Sequence, residues 1–205
     1  TNVTVTGSGQ QGIVGNSGSA VRLLGGSILN AAGTGIDVTG STLSQVAPFT
    51  VTGGASYPLR VTAAQYRLFL PDSAARATYA GNAKDTVLIT SGTLASYPNL
   101  IITTAAPVRF EGSVTFDSST VVTVRPGFVF RMASGQGFIF QGGSRLVARG
   151  TTALPIQFVP DNSSNPWGTL SFQGTPSDSS YLTNVRLERG ASYGYTVDAA
   201  SSLPV

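Results

Sequence analysis

Between Val121 and Leu187, apolar residues recur in pairs two positions apart: Val122/Val124, Phe130/Met132, Phe138/Phe140, Leu146/Ala148, Ile156/Phe158, Leu170/Phe172 and Val185/Leu187. That offset puts both members of a pair on one face of an extended strand. The positions between them are mostly polar or charged, as at Thr123, Arg131, Gln157, Ser171 and Arg186. Turn formers separate the pairs: Pro126-Gly127, Gly135 and Gly137, Gly142-Gly143, Gly150. The first four pairs begin about eight residues apart, so a short strand, a bend and another short strand repeat. The pattern predicts an all-β solenoid, a right-handed parallel β-helix. Three strands per coil would build three short sheets around one apolar axis.

Residues 1–56 carry the same grammar more lightly. Val3/Val5, Ile13, Val21/Leu23, Ile28, Ile36/Val38 and Leu43 are the expected inward positions, separated by Gly, Ser and Asn. These segments are β-branched and too interrupted by Gly for helix. Asn16, Asn30 and Asn82 each precede a strand start by five or six residues. Asparagine tolerates left-handed backbone at bends. If these residues stacked in successive coils, their amides could bond one another; as isolated turn residues they would not. Ala55-Ser-Tyr-Pro58 is echoed by Ala95-Ser-Tyr-Pro98, each leading into a strand. Such echoes imply coils of roughly 20–30 residues.

Residues 62–82 break the pattern, and a small helical or irregular excursion is expected there. Gln65–Leu70 fits a helical turn or a strand. Asp72 or Ser73 suits the N-cap of a short helix running through Tyr79 and ended by Gly81. Two loops lengthen near the end, Pro160–Pro166 and Gly174–Ser180. The whole chain, 1–205, is expected to form a single β-helix domain. The strand-like Val3-Thr4-Val5 at one end and Leu203-Pro204-Val205 at the other suggest a piece of a longer solenoid.

Composition narrows the classes. Apolar residues make up 41% of the chain, enough for a core, while charged residues are only 10%, less than half the usual share. Glycine, serine and threonine take their place, which suits a backbone that bends often. The net charge of +3 comes from dispersed arginines without a run. A nucleic-acid groove would show a clustered basic stripe, so no nucleic-acid partner is expected. No apolar run reaches membrane-spanning length, and no membrane insertion is expected. Cysteine is absent, which removes disulfides and thiolate chemistry. The Ser/Thr/Gly bias with a single lysine points to an extracellular or cell-surface setting.

The run Val122–Arg149, with its Pro-Gly turn, Phe128-Val-Phe-Arg-Met132, Gly135-x-Gly137 and Gly142-Gly143 before a Leu strand, resembles a repeat of bacterial right-handed β-helix surface proteins. Pro155-Ile-Gln-Phe158, Trp167-Gly-x-Leu-x-Phe172 and Leu182-Thr-Asn-Val-x-Leu-Glu188 continue in the family's order. Thr169 stands where the family usually has a glycine. The likeness covers residues 119–200 well, 55–118 loosely and 1–54 only generically. It implies an adhesin-like or surface-layer-associated protein of the pectate-lyase-like superfold. It also implies a second possibility, because such repeats stand beside enzymes that act on polysaccharides.

Histidine is absent, which removes the usual general base, Ser-His-Asp triads and most zinc sites. Enzymes on this fold use converging carboxylates, often with calcium or an arginine. No two acids here are spaced i, i+2 on a strand; only stacking between coils would pair them. Asp161 and Asp178, on the two long loops, are the best candidate ligand-binding pair. Trp167 would either stack on a sugar ring or cover the core. Arg186 and Glu188 should face outward together as a surface ion pair. Gly135-x-Gly137 and Gly142-Gly143 are bends, not a phosphate loop. Asn162-Ser-Ser164 and Asn2-Val-Thr4 fit the glycosylation sequon. No cofactor, metal or catalytic residue is expected.

The leading expectation is a structural or adhesive segment of a large bacterial exoprotein, a rigid stalk or scaffold. Its partners would be other segments of the same long chain, neighbouring surface proteins or glycans. The alternative is a carbohydrate-binding or polysaccharide-degrading β-helix. Thr4/Thr6 and Thr50/Thr52 would suit an ice-binding row, but along the sequence such pairs do not recur once per coil.

Overall fold

The computed structural model describes residues 3–68, 77–97, 99–102, 107–173, 180–191, 194 and 196–199. Its strands fall into two compact units. The first takes residues up to Thr90 with 105–107; the second takes 91–104 and everything from Val108.

In the first unit the chain runs β1 (Val3–Thr6), β2 (Ile13–Val14), β3 (Ala20–Leu23), then β4 (Gly26–Leu29), β5 (Ile36–Asp37), β6 (Thr42–Val46). A third coil follows with β7 (Phe49–Thr52), β8 (Leu59–Thr62) and a one-turn helix α1 (Ala63–Tyr66), and a fourth with β9 (Ala77–Ala80) and β10 (Val87–Thr90). Each strand pairs in parallel with its counterpart one coil on: β1-β4-β7-β9, β2-β5-β8-β10 and β3-β6.

The second unit repeats this with β11 (Gly92–Ala95), β12 (Leu100–Ile102), β13 (Val108–Phe110), β14 (Val114–Asp117) and β15 (Val121–Val124). Next come β16 (Val129–Met132), β17 (Phe138–Phe140), β18 (Arg145–Arg149), β19 (Ile156–Pro160), β20 (Leu170–Phe172), β21 (Tyr181–Thr183), β22 (Val185–Leu187) and β23 (Val197–Ala199). Its three parallel sheets are β11-β14-β17-β20-β23, β12-β15-β18-β21 and β13-β16-β19-β22. The expected architecture holds: an all-β, right-handed parallel β-helix with three short sheets in each unit.

Alternation sets what faces in. Val122, Val124, Phe130, Met132, Phe138, Phe140, Leu146, Ala148, Ile156 and Phe158 are each at most 2% exposed, and the residues between them point out. Register then stacks like on like along the axis. Phe130 lies on Phe158 with centroids 4.4 Å apart and rings 9° from parallel. Phe116, Phe140 and Phe172 form a second stack at 4.8 and 5.0 Å. Phe138 meets Phe116 and Phe130 edge-on at 5.5 and 5.4 Å, tying the two stacks together. Such pairs contribute about 0.5–1.5 kcal/mol beyond the area they bury. At the bends, Gly127, Gly135, Gly142 and Gly143 all hold positive φ, where a side chain would be strained.

The excursion near 62–82 differs in detail from its expectation. The helical turn is α1, capped by Thr62, whose hydroxyl accepts from Gln65 N while Gln65 Oε1 accepts from Thr62 N. It occupies the place of the third strand in its coil. The buried Gln65 amide donates to Val38 O and Ser41 O, both at 2.7 Å, and so binds α1 to the coil before it. The expected helix start at Asp72 or Ser73 lies outside the described residues. Its expected end is corrected: Ala77–Ala80 is strand, because pairing with β7 puts Tyr79 beside Val51 and against Phe49.

The recurring asparagines do not form an amide ladder among the described residues. Asn30 takes the left-handed conformation expected of a bend, with φ 55°. Asn82 instead bonds backbone one coil back: its Oδ1 accepts from Gly54 N and its Nδ2 donates to Val51 O.

Candidate functional site

The densest polar chemistry lies on the outward face of β13-β16-β19-β22. Register builds it in columns. Arg109 pairs with Arg131 and Arg131 with Val159; beside them Gln157 pairs with Arg186. The ladder continues past the strand ends, where Ala133 N donates to Phe110 O and Asp161 N to Met132 O. Glu111, Ala133 and Asp161 therefore follow one another on successive coils. Two acids far apart in sequence share a face, with only a methyl group between them.

Arg109 closes the gap. Its Nη1 is 3.0 Å from Glu111 Oε1, and its Nε is 2.7 Å from Asp161 Oδ2. Arg186 Nε meets Glu188 Oε1 at 2.7 Å, the surface pair expected from their same-face spacing. Arg131 is exposed, next to Arg109 in the register. Three arginines thus balance three carboxylates, and both acids of the Glu111–Asp161 pair are already bound by one guanidinium.

Of the residues singled out in the sequence, Asp161 takes part in this cluster and Asp178 lies outside the described residues. Trp167 is wholly buried, its ring 6.0 Å from Phe158 and its Nε1 donating to Glu188 O at 2.7 Å. It offers no face to a sugar ring; it is part of the core. Arg109 and Glu111 were not singled out. Their signal was present, since Arg109-Phe-Glu111 repeats the form of Arg186-Leu-Glu188. The approach of Asp161 was hidden because it lies fifty positions along the chain from Glu111.

Elsewhere the polar groups also serve the coils. Asp37 Oδ2 meets Arg60 Nη1 at 3.1 Å across β5 and β8. Asp85 accepts from the Asn82 side chain and from the Asn82 and Gly81 amides, and these bonds hold its carboxyl below the usual range. Burial pushes the Tyr66 and Tyr79 phenols well above theirs, and for Tyr79 the neighbouring Tyr66 adds to the shift. Among the described residues, no three His, Cys, Asp or Glu side chains gather as a metal site. No known protein family, curated protein or solved structure matches the chain.

Proposed function

We propose that this chain is a rigid β-helical scaffold, a structural or adhesive segment of a large bacterial secreted or cell-surface protein. Its neighbours would be further segments of the same chain, other surface proteins or glycans. One observation carries the reading: the groups that would do chemistry are engaged in holding coils together. Asp161 and Glu111 are bridged by Arg109, and Trp167 is sealed in the core. Parallel stacking supplies the stiffness, since each coil is fixed by its neighbours on both sides.

The rival reading, a carbohydrate-binding or polysaccharide-degrading β-helix, is favoured by the same cluster. Two carboxylates and an arginine stand on one face beside the exposed Arg131. The test is a panel of acidic polysaccharides incubated with the chain, with and without calcium, followed by assay of new reducing ends and unsaturated products. The scaffold reading predicts no turnover. Turnover that disappears in Asp161→Asn would replace it with the enzyme reading.

A further inference from the structure

The outward face of β1-β4-β7-β9 differs from every other sheet face in the first unit. Register places Thr4, Ser27, Thr50 and Thr78 side by side, one per coil. Two residues along each strand, the second column reads Thr6, Leu29, Thr52, Ala80. All eight positions are exposed or half-buried, while Ile28 and Val51 between the columns face the core. None of the four strands contains a charged residue. None of these hydroxyls makes a hydrogen bond within the protein among the described residues.

The row was invisible to counting along the sequence because the coils differ in length. Thr4 and Ser27 are 23 residues apart, as are Ser27 and Thr50, but Thr50 and Thr78 are 28 apart. Register absorbs the difference. Neighbouring strands lie about 4.8 Å apart, and alternate residues along a strand about 6.6–6.8 Å apart, so the side chains sit on a regular two-dimensional grid. Threonine is stiff about χ1, which keeps each hydroxyl and methyl in place. A fixed grid of hydroxyls and methyls without charge can order water into a lattice. A charged group would hold its own hydration shell and break that order. Ice presents oxygens in a two-dimensional lattice with repeats of similar size.

We propose that this face binds ice, through an ordered water layer seated between the threonine methyls and anchored by their hydroxyls. A second-unit column that also begins with threonines would not serve. There Thr93 and Thr115 are followed by Ile139 and then by Ser171, which is buried. The ice-binding face lies within the first unit and needs nothing from the scaffold role.

The experiment uses the full chain, fluorescently labelled, with growing polycrystalline ice. Adsorption to ice and inhibition of recrystallisation are measured for the wild type, Thr50→Lys, Thr4→Lys and Thr115→Lys, each checked for native circular dichroism. Thr50→Lys, at the centre of the row, should lose activity at least tenfold. Thr4→Lys, at its edge, should lose less, and Thr115→Lys should match the wild type. Absence of ice adsorption by the wild type would overturn the proposal. So would equal losses in Thr50→Lys and Thr115→Lys, or adsorption to a crystalline polysaccharide but not to ice.

Discussion

Replacing Phe158 with alanine tests the stacked core where its packing is closest. Phe158 is fully buried, stacked on Phe130 at 4.4 Å, edge-on to Phe138 at 6.0 Å and beneath Trp167 at 6.0 Å. Truncating a buried phenylalanine costs about 3–5 kcal/mol, from lost transfer energy and the cavity left behind. Three aromatic partners place this site in the upper half of that range. Neighbouring coils are fixed by their own ladders and cannot close over the gap. Net stability of a folded domain is on the order of 5–15 kcal/mol, so the loss is a large fraction of it. With a urea m-value of about 2 kcal/mol per molar, a loss of about 4 kcal/mol moves the midpoint down by about 2 M. Trp167 is the chain's single tryptophan and touches the mutated side chain, so its fluorescence reads the transition directly. Arg131→Ala, one position from Phe130 but facing out, should stay within about 0.5 kcal/mol of wild type. A Phe158→Ala midpoint equal to that of Arg131→Ala would refute the reasoning that register stacks these rings in a closed core.

Three further outcomes follow from the polar contacts. Asn82→Ala removes the bonds to Gly54 N and Val51 O and should cost about 1–3 kcal/mol, because those backbone groups are left unpaired; hydrogen exchange at Gly54 should rise. Asp85, whose carboxyl is held low by its bonds to Asn82 and Gly81, stabilises its turn above the ordinary carboxylate range and loses that effect as pH falls through its folded value. Protection of the Gly81 and Asn82 amides should fall in acid, and Asp85→Asn should abolish that acid dependence. Tyr66 and Tyr79 should stay neutral while exposed phenols ionise near 10, which ultraviolet titration of the wild type against Tyr66→Phe would show. Because both folded values are raised, their neutral burial favours the fold at lower pH, and stability should decline as pH climbs past about 10.

The core was legible because strand periodicity is a local property. A pair such as Phe138/Phe140 declares its inward face without reference to any other coil. What the sequence hides is which coil lies beside which. Coil length varies, so the Glu111–Ala133–Asp161 column and the Thr4–Ser27–Thr50–Thr78 row emerge only once the ladders are known. Gln65–Leu70 fits a helical turn or a strand along the sequence; the Thr62/Gln65 capping box decides for the turn and opens it at Ala63. The separate short helix expected from Asp72 or Ser73 was to run through Tyr79. Tyr79 belongs instead to the β7-paired strand. Trp167 read ambiguously because an aromatic after a long loop serves a surface or a core equally well. Only the position of Phe158 beneath it decides the matter.

Cross-linking tests the coil register most directly, since the chain has no cysteine of its own. Ile101 pairs with Thr123, and Thr123 with Val147, on the outward face of three successive coils. Adjacent strands bring Cα atoms within the roughly 4.4–6.8 Å that a disulfide needs. The double variants Ile101→Cys/Thr123→Cys and Thr123→Cys/Val147→Cys should oxidise readily, while Ile101→Cys/Val147→Cys, two strands apart, should not. Equal oxidation of all three pairs, or bonding of Ile101 to Val147 alone, would contradict the parallel spiral.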